Sequence, residues 1–352
     1  MAETSSTRPQ GAPAKNAVHL VGSIPLDTAD EVFELVGPIL KACCSRYPDG
    51  ETGARKNWIG WQLAAFQKQD ALRQIEDRER DYQLHTPFTF APGKSAGDLD
   101  FSDLGFAREA IESYSSFVRQ QEAGVVSSSA RFLVAIPTPF APVYSFAAYD
   151  SQEQILPVYE KAVLQEVDRI ADAVPHEHLS IQWDVATEMS IFEQVFPAVF
   201  DRSWDVLIGK LAALGDHIPE TIELGYHLCY GSMNNRHWKE PDDLGMCVKV
   251  SNAIAEQVAR RIDFIHMPVP VDRGDNAFYA PLEKLALPSD TEVVLGLVHD
   301  SQGIDENLSR LKVARSHLDT FSISTECGLG RRDRTGMPAL MHLQAELAQH
   351  LG

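Results

Sequence analysis

The stretch "IELGYHLCY", residues 222–230, decides how this sequence is interpreted, because it combines a strand pattern with two metal-ligating side chains. Its apolar and aromatic residues predict a buried β-strand. Residues two apart on a strand point to the same face, so His227 and Cys229 should project together. An imidazole and a thiol on one face are half of a zinc site, although they could also be two ordinary buried side chains.

Eight segments of this kind alternate with longer amphipathic stretches. The predicted strands are 17–22, 41–48, 131–138, 179–185, 222–230, 263–269, 292–298 and 319–325. Apolar residues at helical spacing predict helices over 28–40, 152–174 and 248–262. This alternation is typical of parallel α/β proteins, and eight strands favour a single (β/α)8 TIM barrel over an open sheet.

Two segments lie outside the alternating pattern. Residues 1–16 are rich in Ser, Thr, Pro and Ala and lack the apolar core of a secretory signal, which predicts a disordered tail. The barrel domain is then expected over residues 17–352. Residues from about 53 to 130 are too many for one strand-to-strand connection, which predicts a helical and loop insertion after the second strand.

Composition excludes several classes of function. The 352-residue chain has a net charge of −19 and lacks the basic surface that non-specific binding of nucleic acids or anionic membranes requires. Five cysteines are a sparse, odd number, which argues against a disulfide framework and favours a reducing compartment, so we expect a cytoplasmic protein. The sequence contains no apolar run of about 18 residues, so no membrane span is predicted.

Polar and ionisable residues follow the predicted strands, where a barrel places its active site. Ser23, Glu51, Asp184 and Cys327 stand at the ends of the first, second, fourth and eighth strands. Because all strands end at one rim, Cys327 can approach the histidine and cysteine of strand five and supply a third metal ligand. Asp184 closes an apolar strand, where an unpaired carboxylate is costly, so it needs a partner or a ligand.

Five short motifs carry a family resemblance. They are "VGSIP" (21–25), "DGE" (49–51), "IQWD" (181–184), "HLCY" (227–230) and "ECGL" (326–329). In this order they resemble the catalytic C-terminal barrel of cobalamin-independent methionine synthase and its short single-barrel relatives. The match covers about residues 17 to 335 as separate strand-end motifs, and the His-x-Cys with a distant Cys-Gly is its most specific part.

The resemblance implies a cofactor and a chemistry. It implies that Zn²⁺ is bound by His227, Cys229 and Cys327 and holds the thiol of the substrate, homocysteine in the synthase, as a thiolate. The thiolate then attacks an activated methyl group, since the thiolate and not the thiol is the nucleophile.

The resemblance also implies a substrate site. Ser23, Glu51 and Asp184 match the family's positions that hold the amino-acid part of the thiol substrate. Two carboxylates facing an ammonium group are sensible on charge alone, although Ser23 and Glu51 could equally serve in turns. The expected partners are a small homocysteine-like thiol and a methyl or alkyl donor that the sequence does not identify.

The chain departs from the family at the fourth zinc ligand. The synthase has a glutamate at the end of strand six, where this sequence has Pro268. His266, two residues earlier, should face the same way, and Glu326 and Glu188 are further candidates. Three protein ligands and a water molecule are equally permissible in a catalytic zinc site.

A second departure concerns proton transfer. The synthase has a histidine after strand seven that serves as proton donor, and here His299 and Asp300 stand close to that place. Either could transfer a proton, His299 with the more suitable unperturbed pKa, and either could belong to an ordinary surface pair.

The sequence therefore predicts a zinc-dependent enzyme that transfers a methyl or alkyl group to a thiol. A carbon–sulfur lyase or an epoxide–thiol transferase would use the same zinc site. The sequence is also compatible with a metal-free lyase of the uroporphyrinogen decarboxylase fold and with a non-catalytic ligand-binding barrel. The net charge of −19 suits a polyanionic folate poorly, and the use of folate, the oligomeric state and the mobility of the insertion stay open.

Overall fold

The computed structural model describes residues 17–76, 87–233 and 236–351, in which seven parallel strands form one curled sheet. In chain order the strands are β1 Arg46–Pro48, β2 Leu72–Gln74, β3 Phe88–Phe90, β4 Arg131–Pro137, β5 Leu179–Val185, β6 Glu223–Leu228, β7 Phe264–Pro268, β8 Glu292–Gly296 and β9 Ser322–Ile323. The large sheet has the order β1-β4-β5-β6-β7-β8-β9, whereas β2 and β3 form a separate antiparallel pair. Successive strands of the large sheet are thus neighbours, as helical crossover connections produce.

Helices connect the strands. In chain order they are α1 Ala29–Leu40, α2 Leu63–Gln67, α3 Phe106–Glu122, α4 Phe140–Phe146, α5 Gln152–Ala173, α6 Thr187–Phe192, α7 Ser203–His217, α8 Gly245–Gln257, α9 Asn276–Tyr279, α10 Ile304–Arg315 and α11 Met337–Ala348. Short 3₁₀ helices cover Gly53–Gln62, Ala96–Asp98, Tyr149–Ser151, His176–His178, Ala280–Lys284 and Arg334–Gly336. Helix α1 begins where the Thr28 side chain accepts a hydrogen bond from the Glu31 N–H at 3.2 Å, which caps its first turn.

Seven of the eight predicted strand segments contain a strand of the large sheet. The predicted first strand, 17–22, forms only single parallel bridges, from Val18 to Cys44 and to Ile323. The segment around Val18 therefore lies between Cys44, which precedes β1, and the edge strand β9. The predicted (β/α)8 barrel is confirmed as an α/β fold with a curled parallel sheet, and an eighth full strand is not found among the described residues.

The region from 53 to 130 contains the helices α2 and α3, and its interpretation as an insertion into a barrel stays a prediction. The β2–β3 pair within it has no counterpart among the predicted strands, because strands of three residues are too short to show an alternating pattern. Residues 77–86 of this region and the predicted tail 1–16 lie outside the described residues.

The core lies on both faces of the large sheet. All seven residues of β5 are buried, as expected for a central parallel strand that is covered by helices on one side and by the sheet interior on the other. Its Trp183 is completely buried and donates its indole N–H to the Leu214 carbonyl of α7 at 3.2 Å. Within the described residues no helix has the length and apolar character that crossing a membrane requires.

A buried ion cluster joins the amino-terminal ends of the strands. Arg46 at the start of β1 donates to Glu223 at the start of β6 (2.7 Å) and to Glu292 at the start of β8 (2.8 Å). Its guanidinium also lies 4.3 Å above the Phe264 ring, and its side chain is 6% exposed. These contacts tie the beginnings of distant strands together, at the end of the sheet opposite the site described next.

Candidate functional site

Three predicted metal ligands meet at the carboxyl ends of the strands. His227 is in β6, Cys229 directly follows that strand, and Cys327 lies in the loop after β9. Their ligand atoms all lie within 4.8 Å of one another, although 98 residues separate the two cysteines. We call these three residues the His-Cys-Cys cluster.

The two sulfurs of the cluster are too far apart for a disulfide and nearly as far apart as two sulfurs on one zinc. Cys229 Sγ and Cys327 Sγ lie 3.4 Å apart, against about 2.05 Å in a disulfide and about 3.8 Å for two sulfurs on one tetrahedral zinc. A hydrogen bond from Cys229 holds the pKa of Cys327 well below its usual range. The same sulfur contact, together with burial, raises the pKa of Cys229.

A chain of hydrogen bonds fixes the tautomer of His227. The Thr325 carbonyl can only accept, so His266 Nε2–H donates to it at 3.0 Å. Burial holds the pKa of His266 well below its usual range, so its Nδ1 carries no proton and accepts from His227 Nδ1–H at 2.7 Å. His227 Nε2 is then left with a free lone pair. This atom is buried and has no hydrogen-bond partner among the described residues.

This arrangement fits a zinc ion. One imidazole nitrogen and two thiols converge, and the ligand histidine is oriented by a second hydrogen-bonded group, as in most protein zinc sites. Both nitrogens of His266 are engaged, so His266 orients His227 and does not face the metal position. Among the described residues neither Glu326 nor Glu188 joins the cluster, which leaves one coordination position open.

The predicted substrate residues line the same space. The His-Cys-Cys cluster forms part of the wall of a cavity that is partly open to solvent; its empty space is about 970 Å³ when the open solvent at its mouth is included. Ser23, Glu51 and Asp184 line this cavity as well, so the structure brings together six residues that come from five segments of the sequence.

Two close approaches explain glycines in the first and last motifs. A Cβ atom on Gly22 would lie 2.3 Å from Glu51 Oε1, and one on Gly328 would lie 2.3 Å from Ser23 Oγ. Ser23 Oγ accepts the Gly330 N–H at 3.1 Å. Glycine at these positions therefore lets the loops after β1 and β9 approach the segment that carries Ser23.

Two carboxylates make the inner part of the cavity attractive to a cation. Asp184 is 6% exposed, and Gln182 Nε2 donates to it at 2.9 Å. Burial raises its pKa to about 6, and the Trp58 indole donates to it. Burial and the nearby Asp184 raise the pKa of the partly buried Glu51 well above its usual range. An ammonium group placed between them would relieve this repulsion.

The predicted proton-transfer residues lie elsewhere. His299 is buried, does not line the cavity, and donates Nε2–H to the Val269 carbonyl at 2.9 Å. Burial lowers its pKa to about 4. Asp300 is exposed and pairs with Arg332. The structure thus does not bring these two residues to the cluster, and a role for them in proton transfer stays a prediction.

Sequence reasoning missed several residues of the cavity wall. Phe146, Phe196 and Trp238 line it, each from a loop or a helix end. Their signal in the sequence is weak, because an aromatic residue in a loop has no periodic pattern to mark its direction.

Comparison with solved structures supports the fold. A cobalamin-independent methionine synthase from a Shewanella species, solved with selenomethionine, matches with a TM-score of 0.60 at 16% identity, over 96% of this chain and 97% of that chain. A putative cobalamin-independent methionine synthase from Listeria monocytogenes matches with a TM-score of 0.58 at 15% identity, over 97% of this chain and 98% of that chain. The chain has the fold of these methionine synthases.

A methyltransferase from Methanosarcina mazei shares the methionine synthase fold with a TM-score of 0.53 at 12% identity, over 97% of this chain and 95% of that one. No family model and no curated protein matches the sequence. The resemblance read from five short motifs is therefore confirmed in three dimensions, where continuous sequence similarity is too low to reveal it.

Glu188 of α6 should make stability depend on pH. Burial raises its pKa to about 7, so the folded chain binds a proton that the unfolded chain has lost between about pH 4.5 and 7. Its contribution to stability is fully present below pH 4.5 and is lost as the pH rises through 7. The free energy of unfolding of Glu188→Gln, relative to that of the wild type, should rise by about 3 kcal/mol between pH 4 and pH 8. Urea unfolding at each pH measures this difference.

The exposed Glu177 offers a matched control, since Glu177→Gln should follow the wild-type pH curve. Curves of Glu188→Gln and wild type that stay parallel from pH 4 to 8 would show that the Glu188 carboxyl is solvated in the folded chain.

Proposed function

We propose that this protein is a zinc-dependent enzyme that activates a thiol for methyl or alkyl transfer, on a (β/α)8 barrel. The observation that carries the proposal is the buried His227 Nε2, which has no hydrogen-bond partner among the described residues and belongs to a histidine whose ligand atom lies within 4.8 Å of two thiols. The methionine synthase fold and the methyltransferase neighbour support an enzyme of this general kind. No observation favours the carbon–sulfur lyase, the metal-free lyase or the non-catalytic barrel over it.

Different residues of the site would have different roles. His227, Cys229 and Cys327 would hold the zinc, and His266 keeps His227 in the ligating tautomer. Zinc bound there would keep a substrate thiol ionised at neutral pH, and the thiolate is the nucleophile.

We propose that the thiol is a small amino acid of the homocysteine type. Glu51 and Asp184 would take its ammonium group, while Gln182 keeps the Asp184 carboxylate in place. Ser23 lies on the same wall and would contact the amino-acid backbone. The neighbouring structure from Shewanella, which holds selenomethionine, makes an amino-acid ligand reasonable in this fold.

Cobalt substitution tests the proposal directly. Co²⁺ bound by two thiolates gives a charge-transfer band in the near ultraviolet, and a third thiolate increases it. We expect L-homocysteine to increase the band of the cobalt-loaded protein, whereas L-methionine, which has no thiol, should not. Asp184→Asn should keep the band but require about 10-fold more homocysteine. A band that homocysteine leaves unchanged, or no band at all, would overturn the proposal.

A further inference from the structure

Four aromatic rings form the outer wall of the cavity. Trp58 comes from the 3₁₀ helix 53–62, Phe146 from the end of α4, Phe196 from the loop after α6, and Trp238 from the loop after β6. Trp238 stacks on Tyr230, with ring centroids 4.9 Å apart and an angle of 26°, and its ring lies 6.2 Å from that of Phe196. These four rings line one space.

The rings are held in place by polar contacts behind them. Tyr230 OH donates to Glu193 at 2.7 Å, which fixes the ring on which Trp238 stacks. Trp58 has a φ of 52°, a conformation that is strained for a tryptophan, and its indole donates to Asp184. Strain of this kind persists where surrounding contacts determine the conformation, and it is concentrated at ligand sites. Fixed aromatic faces beside carboxylates attract an organic cation.

One cation lines the cavity without an acidic partner. Arg331 donates to Ser232 Oγ at 2.8 Å and to Asn57 Oδ1 at 3.3 Å, and no carboxylate pairs with it among the described residues. Lys56, which also lines the cavity, pairs with Asp27 at 3.2 Å. The two neutral contacts orient the Arg331 guanidinium while its charge remains available to an anionic group of a ligand.

We propose that the group donor of this site is a small methyl-onium carboxylate, a sulfonium or quaternary ammonium compound whose cationic centre faces the aromatic wall and whose carboxylate is bound by Arg331. The inference rests on the thiol-activating function proposed above and names its second substrate. An aromatic wall and an uncompensated arginine in one cavity match the two charges of such a zwitterion.

The transfer step is balanced without a proton donor. A lone pair of the substrate thiolate forms the new S–C bond to the methyl carbon. The C–S⁺ or C–N⁺ bond of the donor breaks, its electron pair stays on the sulfur or nitrogen, and a neutral thioether or tertiary amine leaves. The charges of −1 and +1 cancel, so no acid has to meet the leaving group, in agreement with the position of His299 away from the cavity.

Binding of glycine betaine, measured by isothermal titration calorimetry on the full chain, tests the inference. Two compounds serve as controls: 3,3-dimethylbutyrate is the neutral-carbon isostere that keeps the carboxylate, and choline keeps the cation without the carboxylate. We expect betaine to bind at least about 5-fold more tightly than the isostere. We also expect it to bind at least about 10-fold more tightly than choline.

Two variants assign these preferences to residues. Trp238→Leu should reduce the preference for betaine over the isostere, and Arg331→Gln should abolish the preference for betaine over choline. Trp61→Leu is the matched control, because Trp61 packs on Phe106 outside this cavity and should leave both preferences intact. Equal binding of betaine and either control compound to the wild type, or preferences that survive both variants, would overturn the inference.

The metal content of the same preparations separates this inference from the function on which it rests. If the protein contains zinc but does not prefer betaine over the neutral-carbon isostere, the proposed donor class alone is overturned. A preference for the cation without any bound metal would overturn the thiol-activating function and would leave a binding site for onium carboxylates.

Discussion

Cys327→Ser should lose the bound zinc and, with it, any transfer activity to a thiol. The substitution removes one of three converging donors and replaces it with a hydroxyl that does not ionise near neutral pH. Changes in the groups behind a zinc ligand already weaken binding by about 10- to 100-fold, so removal of a ligand itself should weaken it by more than about 100-fold. Metal content is measured by plasma emission on protein purified without added zinc or chelator.

The chain offers a matched control for this variant. Cys43 is buried in the core, and its thiol donates to the Leu40 carbonyl at 3.6 Å, a bond that serine can keep. Cys43→Ser should therefore retain nearly one zinc per chain, as we expect for the wild type. A wild-type protein that holds no zinc even after reconstitution would mean that His227, Cys229 and Cys327 are a polar part of the core.

Arg46→Met should cost about 3 kcal/mol of the free energy of unfolding, because it leaves the partly buried Glu292 without its counter-charge and leaves Glu223 with Arg131 alone. Arg46 is the shared partner of Glu223 and Glu292, at 2.7 and 2.8 Å. Burial opposes ionisation of Glu223, yet its pKa lies below the usual range because Arg46 lies beside it. Urea unfolding followed by circular dichroism measures the loss.

Two comparisons show whether the loss comes from the uncompensated carboxylates. The triple change Arg46→Met, Glu223→Gln and Glu292→Gln should recover much of the stability, because both side chains that paired with Arg46 are then neutral. Lys94→Met breaks an exposed pair with Asp98 and should change stability by less than about 0.5 kcal/mol. A loss below about 1 kcal/mol in Arg46→Met would show that this cluster is open to water.

Local patterns locate most of the fold. The segment "LSIQWDV" predicts a strand over 179–185, and β5 has those bounds, because apolar residues that alternate with polar ones over seven positions are a strand pattern in themselves. β1 has only three residues, although the predicted segment 41–48 has eight. β9 has only two, although the predicted segment 319–325 has seven. Their ends depend on hydrogen bonds to neighbouring strands, which come from distant parts of the chain.

The sequence alone determined the chemical types at the strand ends and the faces of the strands. His227 and Cys229 could be assigned to one side because a strand has a period of two, and Ser23, Glu51, Asp184 and Cys327 could be expected at one rim because parallel strands end together. These inferences use only distances along the chain and the geometry of regular elements.

The tertiary structure decided which of these groups meet. The register of β6 and β7 sets His227 opposite His266, which makes His266 the hydrogen-bond partner of a ligand instead of a ligand. The loop after β8 turns His299 towards the Val269 carbonyl and away from the cavity, while Arg331 turns into it. Register and loop direction result from packing between segments far apart in the sequence, and no local pattern encodes the sum of those contacts.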